Sequence, residues 1–100
     1  MYKIKYLQKA LDDLDEIYLY IANENPIAAD KMISSILNTI DGLETFPFIG
    51  SAVADRVDIK GDYRMIISKP YLVFYRVISA QVIIYRVLHN RRYYSVLLDS

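Results

Sequence analysis

The chain has 100 residues, no cysteine, a single histidine, and 12 basic against 12 acidic side chains, for a formal net charge of zero. That length makes one small domain over residues 1–100, burying roughly two-thirds of its unfolded surface, with neither a disulfide nor a multi-histidine metal site available. Zero net charge excludes the global basic excess with which phosphate-gripping proteins gain affinity by counterion release, so any nucleic-acid contact has to be local.

The chain opens on Met1-Tyr2-Lys3-Ile4-Lys5-Tyr6, where apolar and lysine positions alternate as in a strand whose lysine side suits a sheet edge. It lacks the apolar run of a signal peptide. No later stretch approaches the ~20 apolar residues a membrane span needs. A cytoplasmic protein with no membrane partner is expected.

From Leu7 to Ala22 the period turns helical. Leu7, Leu11, Leu14, Tyr18 and Ile21 recur at alternating spacings of four and three, and Ala10, Ile17 and Ala22 widen the stripe. Asp12, Asp13, Asp15 and Glu16 fall away from that stripe and read as a solvated face, since no histidine or further ligand accompanies them. Asn25 then reads as a cap and Pro26 as the first helical residue. The second helix carries Ala29, Ile33, Ile36, Ile40 and Leu43, supplemented by Met32 and Leu37 as core filler. Two matching stripes joined by a tight link predict an antiparallel helical hairpin lying on a sheet.

Glu44 to Gly61 is irregular, with Phe46 or Phe48 expected to plug the end of the core and Val53 to Ile59 as a candidate short strand. Lys60-Gly61-Asp62 reads as a turn. Tyr63 to Ser68 is a further strand, closed by Lys69-Pro70. Tyr71 to Ile78 and Gln81 to His89 are rich in β-branched and aromatic residues and form a hairpin through Ser79-Ala80. Ser-Ala lacks the Gly or Asn that a tight primed turn favours, so a four-residue loop is the alternative to two. Either length pairs Ile78 with Gln81 and Arg76 with Ile83. Alternation then puts Val73, Tyr75, Val77, Val82, Ile84, Arg86 and Leu88 on a face that packs on the helices. The other face receives Leu72, Phe74, Arg76, Ile78, Gln81, Ile83, Tyr85, Val87 and His89. The expected fold is α+β: an antiparallel-rich small sheet, formed by the N-terminal strand and three C-terminal strands, with the helical hairpin on one face.

Most catalytic signatures are missing. There is no cysteine nucleophile, no Gly-rich phosphate loop and no nucleophile elbow. What remains is the end of the last strand, Leu88-His89-Asn90-Arg91-Arg92-Tyr93-Tyr94, near Arg64, Arg76 and Tyr85. Metal-free RNA cleavage needs a group titrating near neutrality, a cation for phosphorane charge and an aromatic to stack a base. His89, Arg91 and Tyr93 or Tyr94 are of those types. The same set is equally suited to docking, because Arg and Tyr are the usual anchors of protein interfaces.

The element order, Asn25-Pro26-Ile27-Ala28-Ala29, Phe46-Pro47 before Gly50, Tyr71-Leu72-Val73-Phe74-Tyr75-Arg76-Val77, and Ile84-Tyr85-Arg86-Val87-Leu88-His89-Asn90-Arg91-Arg92 together resemble the RelE/ParE superfamily of bacterial type II toxin-antitoxin toxins. The resemblance covers almost the whole chain. RelE-like members cleave mRNA on the ribosome; ParE-like members share the fold and poison DNA gyrase. Where RelE-like toxins place a strand arginine this chain has Leu72, and their C-terminal tyrosine falls near Leu97. Only Arg64 and Arg91 match their basic set, whereas Phe74-Tyr75-Arg76-Val77 and Leu88-His89-Asn90-Arg91-Arg92 look ParE-like.

The resemblance implies a gyrase-directed toxin with Arg76, Tyr85, Arg91, Arg92, Tyr93 and Tyr94 as target-binding residues. The alternative it implies is a ribosome-dependent endoribonuclease acting on mRNA, with His89 as acid or base and Arg64 and Arg91 on phosphate. A toxin-fold protein that only binds antitoxin is a third reading. No cofactor and no metal are expected. A cognate antitoxin with a flexible wrapping segment is, within a hetero-oligomer, and a homodimer is a further possibility. Apolar content of 54% suits a chain held in a complex.

Overall fold

The computed structural model describes residues 1–53 and 62–90. The elements run β1 (Lys3–Tyr6), α1 (Gln8–Ala22), α2 (Pro26–Asp41), a 3-10 turn (Gly42–Glu44), β2 (Ser51–Ala52), β3 (Arg64–Ser68), β4 (Tyr71–Ile78) and β5 (Gln81–His89). The sheet order is β1-β5-β4-β3-β2. β1 is parallel to β5 and the other pairings are antiparallel, so the antiparallel-rich α+β sheet expected from the sequence is present. β1 takes the edge, with Lys3 and Lys5 exposed. Of the candidate strand at Val53 to Ile59 only Val53 is described, just after β2, and residues 54–59 lie outside the described residues.

α2 starts as its cap residues require, with Pro26 at the first position and the Asn25 carboxamide accepting the amide of Ala28 at 3.0 Å. Ala29, Ile36 and Ile40 are buried as the spacing predicts. α1 is rotated relative to expectation. Its buried residues are Ala10, Asp13, Leu14 and Ile17, whereas Leu11 is 40% exposed. Leu43 closes the end of the core. The phenylalanines expected there stay outside, Phe46 at 63% and Phe48 at 56% exposure. The space is filled by Tyr75, fully buried, whose hydroxyl accepts the Gly50 amide at 2.9 Å.

The β4–β5 hairpin turns in two residues, with Ser79 at φ 56°, and pairs Ile78 with Gln81 and Arg76 with Ile83 as expected. The register then shifts by one. Tyr75 faces Ile84, but Phe74 faces Arg86, leaving Tyr85 as the extra residue of a bulge. A one-residue slip moves every later side chain to the opposite face. Val87 therefore joins Tyr71, Val73 and Tyr75 in the cluster under the helices, while Leu88 joins Val53, Leu72 and Phe74 in a second cluster on the far face. This reverses the expected sides of Val87 and Leu88. His89 changes side with them: it pairs with Tyr71, and the two rings meet edge to face at 5.6 Å.

Candidate functional site

The far face of the sheet carries the feature most suited to recognition. Arg76 projects there from β4, Tyr85 from the bulge of β5, and Tyr63 from the residue preceding β3. The rings of Tyr63 and Tyr85 meet edge to face at 5.0 Å, and the Arg76 guanidinium lies 5.6 Å from the centre of the Tyr63 ring. That distance is within the range of a cation–π contact, on the order of 0.5–1 kcal/mol at a wet surface. A side-chain hydrogen bond to Tyr85 is the main cause that raises the Arg76 pKa above its ordinary value. The Nε of Arg76 is buried with no partner among the described residues. Burial raises the Tyr63 hydroxyl, Tyr85 adds to the rise, and Arg76 opposes it. A tyrosine raised in this way keeps its proton near neutrality, so the cluster offers a fixed cation and two aromatic surfaces for binding. Among the described residues no group of three or more His, Asp or Glu could hold a metal ion.

Of the residues singled out from the sequence, Arg76 and Tyr85 are brought together here. Arg64 is placed elsewhere: its Nη1 donates to the carbonyls of Gly50 at 2.8 Å and Phe48 at 3.2 Å, and its guanidinium lies 5.0 Å from the Phe48 ring centre. It ties the segment before β2 to the sheet. His89 lies against Tyr71, whose hydroxyl is raised by burial and then by Tyr20. Arg64 pairs with Tyr75 and His89 with Tyr71 from opposite flanks of β4, so along that strand alone they are offset by four positions, about 13 Å at strand rise. Arg91, Arg92, Tyr93 and Tyr94 lie outside the described residues.

Two residues escaped the sequence reading. Tyr63 had a usable signal: a two-residue turn at Lys69-Pro70 pairs Ser68 with Tyr71 and Arg64 with Tyr75, and extending that register by one sets Tyr63 opposite Arg76. Asp13 is the other, buried rather than solvated, and accepts from both Arg86 and the backbone of Val87. Its signal was its place between Ala10 and Ile17 on the buried stripe.

A separate groove runs between the helices and β1, with Leu14 and Leu37 on its floor, the exposed Leu11 beside them, and Asp15 and Asp41 on its rim. Tyr6 lines it as well; burial raises its hydroxyl, and the Asp41 carboxylate raises it further.

The sequence matches the family described as the ParE toxin of the type II toxin-antitoxin system, parDE, over residues 4–94. It is 33% identical over 88 residues to the protein Y4kP of Sinorhizobium fredii, covering 87% of this chain and 86% of that relative. It is 32% identical over 83 residues to toxin ParE3 of Caulobacter vibrioides, covering 79% and 77%. Among solved structures, a chain from the chromosomal ParDE system of P. aeruginosa superposes with a TM-score of 0.73 at 25% identity, over 89% of this chain and 96% of that one. The matched span takes in both helices and all of the sheet from Ile4 onward, and on that ground the chain belongs to the ParE toxin family of type II toxin-antitoxin systems.

Proposed function

We propose that this ParE-family toxin acts in the cytoplasm by arresting DNA gyrase on cleaved DNA, and that a cognate antitoxin neutralises it. The observation that carries the reading is the family match over residues 4–94, since ParE-like toxins are gyrase poisons. The site chemistry supports it: Arg76, Tyr63 and Tyr85 form a cation-aromatic patch of the kind that anchors protein interfaces. In sequence, Arg91, Arg92, Tyr93 and Tyr94 continue the same residue types, and we include them in the target-binding set. The ribonuclease reading needs His89, Arg64 and Arg91 together; Arg64 and His89 lie apart, and Arg91 lies outside the described residues.

The P. aeruginosa neighbour is described as a ParDE toxin-antitoxin system, and the antitoxin proposal extends that pairing to this chain. The apolar floor and acidic rim of the helix groove suit an amphipathic segment with basic residues along its edges.

The decisive experiment adds the purified protein to gyrase and supercoiled plasmid, then traps covalent enzyme-DNA complexes with detergent and protease. Linear plasmid that disappears when the antitoxin is added is expected. A preparation that inhibits growth but yields no linear plasmid overturns the gyrase reading and turns the search to ribosomal mRNA cleavage.

A further inference from the structure

The bulge in β5 is not explained by packing. An unbulged continuation of the hairpin register would pair Tyr85 with Phe74, Val87 with Leu72 and Leu88 with Tyr71. It would bring Leu88 under the helices and send Val87 and His89 to the far face. Val87 and Leu88 are both apolar, so burying one in place of the other distinguishes the two registers only weakly. A bulge also leaves one residue out of the ladder. Something outside the hairpin has to select it.

Asp13 of α1 is placed to do so. Asp13 is 6% exposed, and its carboxylate accepts three hydrogen bonds: from Arg86 Nε at 2.8 Å, from Arg86 Nη2 at 2.9 Å, and from the Val87 amide at 2.9 Å. The Val87 amide lies beyond the last β1–β5 pair, Tyr6 with Ile84, so no strand is there to receive it. Arg86 and Val87 can both turn toward α1 only where the alternation of β5 is broken. Among the described residues Glu16, one turn along the same helix, also acts on Arg86, and its influence is secondary to the bond with Asp13.

We infer that Asp13 is a positioning residue which selects the bulged register of β5, and thereby fixes Leu88 on the far face and His89 against Tyr71. Tyr85 faces away from the helices in either register, so the inference concerns the sides taken by Val87, Leu88 and His89 and stands apart from the docking reading above.

The test is Asp13→Asn in the full 100-residue chain, followed by NMR. An asparagine presents an NH2 group to at least one of the donors it faces and cannot reproduce the three bonds. The contact between the Tyr71 and His89 rings, seen as a nuclear Overhauser effect, should give way to one between Tyr71 and Leu88. A folded variant that keeps the Tyr71–His89 contact overturns the inference and leaves the ion pair a plain source of stability.

Should Asp13→Asn fail to fold, the double variant Asp13→Leu, Arg86→Met removes both charges together, which a buried pair tolerates far better than the loss of one partner. A mixture of the two Tyr71 contacts is expected, and an undiminished His89 contact alone refutes the assignment. Plasmid linearisation by gyrase, measured in parallel, separates this inference from the docking reading. An unmoved register counts against Asp13 whatever the gyrase result.

Discussion

The hydroxyl of Tyr75 accepts the amide of Gly50 at 2.9 Å, and a Cβ built on Gly50 would fall 2.6 Å from that oxygen and 2.8 Å from the Met65 carbonyl oxygen. The close approach of backbone to sheet is therefore what requires glycine here. Gly50→Ala is expected to cost about 1–3 kcal/mol by overpacking. Tyr75→Phe leaves the Gly50 amide without its acceptor and is expected to cost about 1–3 kcal/mol. Urea unfolding of both variants checks this. Because both changes break the same contact, the double variant should lose less than the sum of the two.

Ser79 holds φ 56° in the β4–β5 turn, a conformation that costs a non-glycine residue about 1–2 kcal/mol. Glycine removes that strain but adds freedom to the unfolded chain, worth about 0.5–1 kcal/mol. Ser79→Gly is thus expected to stabilise the protein by on the order of 0.5 kcal/mol. A higher denaturation midpoint with an unchanged slope is the expected readout, and a lower midpoint would contradict the strain argument.

Alkaline pH should weaken the fold. Burial raises the hydroxyls of Tyr75 and Tyr71 above their ordinary value of 10.0. Below pH 10 both states keep the proton and pH has no effect through these groups. As pH rises past 10 the unfolded chain ionises first, binds fewer protons than the folded one, and is favoured. The stability is lost progressively until the folded-state values are passed, at a slope approaching 1.4 kcal/mol per pH unit for each tyrosine involved, about the linkage limit. Unfolding at pH 8, 10 and 11 should show this loss, and Tyr71→Phe should make it shallower.

The hairpin shows how far a sequence reading reaches. Pairing of Ile78 with Gln81 and Arg76 with Ile83 was legible because the turn sets the register beside it. Beyond Tyr75 the signal fails, because Val87 and Leu88 are both apolar and alternation has no contrast to read. Asp13 was hidden for a related reason: amid Asp12, Asp15 and Glu16 it reads as one more solvated charge, and only its place between Ala10 and Ile17 sets it apart. Phe46 and Phe48 sit in a segment with no period, so hydrophobicity alone assigned them to a core they do not enter. On the candidate site, Arg76 and Tyr85 were legible as residue types at the right place, whereas Tyr63 needed the β3–β4 register to be carried one residue further.

The cation-aromatic patch can be tested apart from the fold. Arg76, Tyr85 and Tyr63 lie on the far face, away from the cluster under the helices that contains Ile36, Val73 and Ile84. Interface anchors of these types cost at least about 2 kcal/mol when truncated, roughly a thirtyfold loss of affinity. Arg76→Ala and Tyr85→Ala are each expected to lower plasmid linearisation by gyrase at least tenfold, about 1.4 kcal/mol in binding, while thermal unfolding shifts only modestly. Arg86→Ala is the contrast. It leaves the Asp13 carboxylate buried with only the Val87 amide, and is expected to cost about 3–5 kcal/mol of stability, so the protein fails by unfolding. If Arg76→Ala and Tyr85→Ala fold normally and still linearise plasmid at the wild-type level, the patch is not the gyrase contact. The arginines and tyrosines from Arg91 to Tyr94 then become the residues to truncate next.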